Sequence, residues 1–256
     1  MNLDSMFITH DGAIATLHLN RSERLNAFGM RGTVELNTAA DYLAQHDATR
    51  VVVVTGEGRS FSTGIDLKEL SAGEIDMAYH HHWEGALRKF EVMNKVVVAA
   101  INGWCLGGGL QLALACDVRV AVESAMLGLP AVKEGLLPGM GVYRLPRAIG
   151  YTRAKRFILS GELVNGREAE RIGMVDYCVS ADEFAAKVAA VSQSYLNIPW
   201  ASVLLSKQMT NRAFDLPFDE FLQEYFAAQT EAMQSDDHFA AMAAYRAEQN
   251  KKTSER

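Results

Sequence analysis

The sequence predicts an α/β fold with a mainly parallel sheet, followed by a helical C-terminal part. Apolar runs typical of buried strands alternate with helix-forming segments over the first half of the chain. Beyond Tyr151 most segments have helical composition, and 49% apolar residues in a chain of 256 can supply a large core. We therefore divide the chain into a core of residues 1–195 and a helical region of residues 196–256.

The predicted elements follow one another at short intervals. Alternation of apolar and polar residues predicts the first strand, and runs of valine and alanine predict buried strands further along. The predicted strands are residues 13–20, 51–55, 96–101, 118–122 and 174–179. The predicted helices are residues 30–46, 76–93, 151–160, 167–172, 181–196, 200–212, 217–234 and 236–249.

Charge, hydropathy and cysteine content exclude several classes of protein. The net charge of −6 without a long basic block argues against nucleic acid as a partner. The longest apolar run, at residues 95–101, is too short to span a bilayer, so no membrane partner is expected. Residues 1–5 lack the features of a signal peptide, and the three cysteines form no CxxC pair. A reducing, cytoplasmic location fits best.

The stretch from Asn102 to Gln111 carries the clearest functional signal. Its three glycines, Gly107 to Gly109, lie between a predicted strand and a segment of helical composition. Backbone N–H groups at such a junction can bind an oxyanion, although a tight turn or close helix packing would need the same glycines.

The loop from Phe61 to Asp66 has the same strand, glycine and helix order. Neighbouring parallel strands bring such loops to one edge of a sheet, so we expect one N–H from each loop to converge on a single oxygen. A thioester carbonyl that becomes an enolate is an oxygen of this kind.

Together with other motifs, these loops resemble the crotonase (enoyl-CoA hydratase/isomerase) superfamily. The matching segments are residues 24–27, 61–66, 99–109, 116–117, 135–141, 144–147, 159–161 and 169–175. The resemblance implies a spiral of ββα units with a C-terminal helical trimerisation region, assembled as a homotrimer or a dimer of trimers. It also implies an acyl-CoA substrate, with coenzyme A as part of that substrate and no separate cofactor or metal.

The resemblance also implies roles for individual residues. The backbone N–H groups of Ile65 and Gly108 would be the oxyanion donors. The residues expected to bind the substrate and its coenzyme A part are Arg24, Leu25, Ala27, Gly64, Asp66, Lys68, Gly107 and Ala131.

The usual acid and base are missing. Hydratases of the superfamily use two glutamates, and the matching residues here are Gln111 and Ala131. Glutamine can orient water but cannot take its proton, and alanine can do neither. Isomerases and dehalogenases of the superfamily often use a carboxylate at the position of Gly139 or its neighbour, and residues 138–141 contain no acid.

We therefore expect isomerase, decarboxylase or other lyase chemistry instead of standard two-glutamate hydration. The alternative is a non-catalytic homologue that binds acyl-CoA.

Other side chains remain as candidates. Gln111 is the best placed, as a group that orients water or the substrate. Glu134 follows Ala131 by three residues and could face the same way on a helical turn, or it is simply a surface glutamate. In the run from His80 to His82 at most two histidines can face the site. A His81–Glu84 pair could act as acid and base, or this is a solvated helix face.

Overall fold

The computed structural model describes residues 1–254 and shows an α/β core followed by helices. In chain order, the strands of the described residues are β1 (Met6–Asp11), β2 (Ile14–Leu19), β3 (Val51–Gly56), β4 (Ser60–Ser62), β5 (Val96–Ile101), β6 (Trp104–Leu106), β7 (Val118–Val122), β8 (Met126–Gly128), β9 (Leu163–Asn165) and β10 (Tyr177–Val179).

The α-helices cover most of the remaining chain. They are α1 (Met30–Gln45), α2 (Leu67–Ser71), α3 (Met77–Val92), α4 (Gly108–Leu114), α5 (Gly141–Ile149), α6 (Tyr151–Ser160), α7 (Gly166–Arg171), α8 (Ala181–Leu196), α9 (Trp200–Arg212), α10 (Phe218–Gln234) and α11 (Asp236–Ser254). Two short 3₁₀ turns, Ser22–Arg24 and Pro130–Glu134, complete the regular structure of the described residues.

The strands form two sheets. The six-stranded sheet has the order β1-β2-β3-β5-β7-β10 and is parallel except for the β1–β2 pair. The four-stranded sheet has the order β4-β6-β8-β9, with only β8 and β9 antiparallel. Each of β3, β5 and β7 is followed by a short strand of the smaller sheet and then by helical structure. The expected α/β architecture of ββα units is confirmed.

Burial explains why the long strands were predictable. All six residues of β5 are buried, as are the four valines of β3, because both strands are central in a parallel sheet. At the start of α3 the Asp76 side chain accepts a hydrogen bond from the Ala78 N–H at 2.8 Å, which caps the helix.

Several elements differ from the prediction. The segments of β4 and β6 were expected to be loops, and β1, β8 and β9 were not predicted. A strand of three residues, such as β4, β6, β8 or β9, shows no periodicity, and its conformation depends on the partner strand instead of on its own residues. Strand β1 has six residues, but only two of them are buried, so it lacks a clear apolar pattern. Helix α5 was also missed; it contains Pro146, which disfavours a helix in sequence-based prediction.

The chain divides into two compact units. The first, Met1–Gln193, contains both sheets, and the second begins at Ser194, inside α8. The second unit is helical, and its Ala201 N–H donates to Asp237 Oδ2 at 3.1 Å. Several large apolar side chains of this unit are more than half exposed: Phe214, Phe218, Phe226, Met233, Phe239 and Tyr245. No helix in the described part of the chain combines the length and apolar character needed to cross a bilayer.

Candidate active site

The smaller sheet brings the two glycine loops into contact. In the parallel β4–β6 pair, Ser60 lies opposite Trp104 and Ser62 opposite Cys105. The loop after β4 carries Gly64, which has a φ of +83°. A Cβ atom at Gly64 would lie 2.4 Å from Gly108 N, so any larger residue would force the loops apart. The loops therefore meet through their backbones.

Two backbone N–H groups are available at this contact. Ile65 follows Gly64 directly, and Gly108 is the first residue of α4, where an N–H has no partner within the helix. Neither N–H donates to a protein acceptor within residues 1–254. Both residues line the same cavity. The pair can therefore donate to one oxygen of a bound molecule.

A strained loop holds the Gly64 segment in position. Leu25 and Asn26 adopt the left-handed conformation, with φ values of 53° and 55°. The Asn26 amide donates to Ser60 O at 2.8 Å, and Leu25 O accepts from the Thr63 N–H at 3.1 Å. The backbone strain is thus maintained by hydrogen bonds next to the site, which is a common location for such strain.

The cavity has a volume of about 460 Å³ and is lined by residues of the first unit. Apart from the histidine run, every residue that the sequence singled out for the site lies in its wall except Gly64, which is buried. Those in the wall are Arg24, Leu25, Ala27, Ile65, Asp66, Lys68, Gly107, Gly108, Gln111, Ala131 and Glu134.

Three exposed cations lie along the wall. Arg24 and Lys68 were expected, and Arg59 was missed, although its position just before the Phe61–Asp66 loop was a usable signal. None of the three forms an ion pair within the described residues. They can bind a phosphorylated group at the cavity rim.

Two predicted acidic residues have different environments. The Asp66 carboxylate is buried; it accepts from the Lys68 N–H at 3.0 Å and from Arg21 at 3.3 Å, so it is engaged in capping α2. Glu134 is exposed at the end of its 3₁₀ turn, where a spacing of three residues places it above Ala131. Asp66 is therefore a wall residue, and Glu134 lies in the cavity lining while exposed to solvent.

The side chain of Gln111 is buried beside Gly139. It is only 5% exposed, and its Oε1 has no hydrogen-bond partner among the described residues. A Cβ atom at Gly139 would lie 2.9 Å from Gln111 Oε1 and 3.1 Å from Nε2. The glycine, whose φ is +49°, thus makes room for the amide.

A carboxylate lies next to this amide. Glu84 of α3 lines the cavity, and its Oε1 would be 3.3 Å from the same Gly139 Cβ position. Its Oε2 accepts from Arg144 Nη1 at 2.7 Å, and its Oε1 accepts from the Met140 N–H at 3.2 Å. These contacts were not predictable from the sequence, because Arg144 is 60 residues away from Glu84 in the chain.

The proposed His81–Glu84 pair does not form. His81 is exposed, and Glu84 is bonded to Arg144 and Met140 instead. Of the three consecutive histidines, only His80 lies in the cavity lining, one helical turn before Glu84.

Arg144 holds two carboxylates. Its Nε donates to Glu91 at 2.6 Å, in addition to the bond from Nη1 to Glu84. Burial alone would lower the pKa of Arg144, but the attraction of Glu91 and Glu84 outweighs it and raises that pKa. The guanidinium is therefore permanently charged and fixes the Glu84 carboxylate.

Aromatic side chains form the apolar wall. Trp83 is 2% exposed, stacks on Tyr79 at 6.3 Å, and meets Phe28 edge to face at 4.9 Å. Its Cζ2 would lie 3.1 Å from a Cβ at Gly108, so α3 packs directly on the glycine loop before α4. Burial, with help from nearby carboxylates, raises the pKa of Tyr79, which therefore stays neutral.

Known proteins resemble this chain over most of its length. A family model described as enoyl-CoA hydratase/isomerase matches residues 9–254. The chain belongs to the enoyl-CoA hydratase/isomerase family. The resemblance to the crotonase superfamily is thereby confirmed.

Relatives in this family match over most of their length. A probable enoyl-CoA hydratase of Mycobacterium bovis is 31% identical over 246 residues, covering 96% of both chains. The crotonyl-CoA hydratase of Syntrophomonas wolfei is 32% identical over 224 residues, or 86% of each chain. The crystal structure of the Bacillus anthracis enoyl-CoA hydratase superposes with a TM-score of 0.89 at 29% identity, covering 96% of this chain and 97% of that one. The fold of this chain is thus that of the family.

Proposed function

We propose that this protein converts an acyl-CoA thioester through an enolate whose oxygen accepts hydrogen bonds from the Ile65 and Gly108 N–H groups. One observation carries the proposal. The two loops meet so closely that a Cβ atom at Gly64 would lie 2.4 Å from Gly108 N, and the N–H groups of Ile65 and Gly108 have no protein acceptor among the described residues. Donors fixed before the reaction stabilise developing negative charge without reorganisation. Relatives named as enoyl-CoA hydratases support the thioester substrate.

The same cavity argues against standard hydration. Water addition needs a group that takes a proton from water. By the resemblance, Gln111 and Ala131 match the two glutamates of hydratases, and both residues line the cavity. Neither side chain can accept that proton. Reactions that need less proton shuttling are favoured, namely double-bond isomerisation and decarboxylation. Loss of CO₂ forms the enolate directly and needs no base at the α-carbon.

The chemistry requires no separate cofactor, because coenzyme A is part of the substrate. Arg24, Arg59 and Lys68 are suited to its phosphates. The three cysteines are free thiols, and a cytoplasmic location is consistent with that state.

A substrate panel tests this function. Purified protein is mixed separately with crotonyl-CoA, 3-hexenoyl-CoA and malonyl-CoA, and products are followed by mass spectrometry. We expect turnover of 3-hexenoyl-CoA or malonyl-CoA and hydration of crotonyl-CoA at least about 100-fold slower. Rapid hydration of crotonyl-CoA would refute our interpretation of Gln111 and Ala131. Tight binding of all three thioesters without turnover would instead support a non-catalytic acyl-CoA-binding protein.

We also propose that the second unit forms the interface of a homotrimer or a dimer of trimers. The support is its set of exposed phenylalanines, among them Phe214 and Phe218 at 76% and 74% exposure. Light scattering on the purified protein should give the mass of three or six chains of 28.1 kDa. A monomer at micromolar concentration would contradict the proposal.

A further inference from the structure

We propose that Glu84 is the catalytic carboxylate of this site, and that it moves a proton to convert a 3-enoyl thioester into the 2-enoyl isomer. The inference rests on the proposed function, because it assumes a thioester whose oxygen is bound by Ile65 and Gly108. It selects isomerisation from the reactions that the oxyanion donors alone would permit.

Glu84 is selected by comparing the carboxylates of the cavity. Four carboxylates line it among the described residues: Glu23, Asp66, Glu84 and Glu134. Asp66 is buried and bonded to the start of α2 and to Arg21. Glu23 and Glu134 are exposed to solvent. Glu84 is the remaining one, with a side chain that is 28% exposed and an oxygen 3.3 Å from the Gly139 Cβ position, which the Gln111 amide also approaches.

The position of Glu84 relative to the oxyanion donors fits the reaction. Gln111 and Gly108 are three residues apart on α4, so they lie on one face about 5–6 Å from each other. Glu84 shares the Gly139 contact with Gln111, while its neighbour Trp83 packs on Gly108. The carboxylate and the two N–H donors therefore belong to the same part of the cavity wall, and we place the C2 to C4 atoms of a bound acyl chain between them.

Two fixed contacts orient the carboxylate. Arg144 holds Oε2, and the Met140 N–H binds Oε1 at the start of α5. Arg144 also donates to Glu91, which accepts a second hydrogen bond from Arg88 at 3.1 Å. Glu84 is thus held in a defined orientation, and its Oε1, which lies beside the same Gly139 position as the Gln111 amide, is its reactive oxygen.

The proton transfer is balanced within the site. Glu84 takes a proton from C2, and the electron pair of that C–H bond forms a dienolate whose oxygen is bound by Ile65 and Gly108. Protonated Glu84 then returns the proton to C4, and the double bond moves to C2–C3. Gln111 Oε1, which has no protein donor, can accept a hydrogen bond from protonated Glu84. No water, metal or second base is consumed.

Hydrogen exchange gives the sharpest test. Hexanoyl-CoA, which cannot isomerise, is incubated with the protein in D₂O, and deuterium at C2 is measured by mass spectrometry. In a parallel experiment in H₂O, the isomerisation of 3-hexenoyl-CoA labelled with deuterium at C2 is followed. We expect the unmodified protein to exchange the C2 hydrogens and to carry part of the label from C2 to C4. The Glu84→Gln variant should slow both by about 100-fold or more while binding hexanoyl-CoA equally well.

Glu91→Gln is the matched control, because it removes the other partner of Arg144 from the same helix but outside the cavity lining. We expect it to lose far less activity, about threefold. Should Glu84→Gln unfold, Glu84→Asp keeps the charge for Arg144 and withdraws the carboxylate by one methylene. This variant should lower kcat about tenfold without changing KM.

The outcomes separate the two proposals. If Glu84→Gln exchanges and isomerises as fast as the unmodified protein, Glu84 is not the base and the proposed function stands. Binding of hexanoyl-CoA without exchange or isomerisation in the unmodified protein also overturns the role of Glu84. Failure to bind any acyl-CoA overturns the proposed function itself.

Discussion

The two sides of the cavity are built from different parts of the chain. On one side, the backbone N–H groups of Ile65 and Gly108 converge, and the contact at Gly64 fixes their distance. On the other side, the chemistry depends on the side chains of Glu84 and Gln111, which come from different helices. On the backbone side, the close contact leaves no room for a side chain at Gly64. On the side-chain side, a carboxylate such as Glu84 can come from a different helix without any change in the fold.

The largest effect is expected on the backbone side. In Gly64→Ala, the new Cβ would come within 2.4 Å of Gly108 N and 2.9 Å of Leu106 O, so the loops must separate and both oxyanion donors are displaced. Loss of one such donor costs about 100- to 1,000-fold in kcat, and we expect about 1,000-fold here. The measurement is kcat with the best substrate of the panel.

Gly73→Ala controls for backbone strain. Gly73 has a φ of +73°, close to that of Gly64, but a Cβ there would meet nothing within 4 Å. It should cost about 1–2 kcal/mol of stability and leave kcat unchanged. If both variants lower kcat alike, then strain and not the loop contact explains the effect.

The same contrast explains what the sequence could predict. Strand β7 was predicted at its observed bounds because four of its five residues are apolar. It lies between β5 and β10 in the sheet, where those four residues are buried. The contact between the two glycine loops was predictable because glycines at strand ends are visible in the sequence. The pair of Glu84 and Arg144 was not, since it depends on the packing of α3 against α5. The His81–Glu84 hypothesis failed because helical spacing alone does not show which partner a carboxylate has in the folded protein.

The second prediction concerns the support of Glu84. Arg144 uses Nη1 for Glu84 and Nε for Glu91, and a lysine has only one nitrogen for both. Arg144→Lys should therefore lower kcat about tenfold and stability by about 1–2 kcal/mol. KM should not change, because Arg144 does not line the cavity. Thermal unfolding and steady-state kinetics give both values.

Arg147→Lys is the control on the same helix. Arg147 stacks on Tyr143 at 3.4 Å and does not line the cavity, so its replacement should leave kcat unchanged. The Glu84→Gln/Arg144→Lys double variant should be no slower than Glu84→Gln alone, because both changes act through one carboxylate. Additive losses of kcat would show that Arg144 acts on the reaction by another route.

The smallest effects are expected at the exposed rim, which tests whether the substrate carries coenzyme A. Arg59 and Lys68 are exposed and unpaired within the described residues, so they can attract phosphates but take no part in the reaction. Arg59→Ala and Lys68→Ala should each raise KM about three- to tenfold at low salt, with kcat unchanged, and less at high salt.

The decisive comparison uses the same acyl group on pantetheine, which has no nucleotide phosphates. With that substrate neither rim variant should change KM, whereas Gly64→Ala should still lower kcat about 1,000-fold, because the oxyanion donors act on the thioester carbonyl itself. Lys187→Ala, which removes a cation outside the cavity lining, should have no effect on either substrate. An equal rise in KM for both substrates would mean that the rim cations bind the acyl part and not the nucleotide.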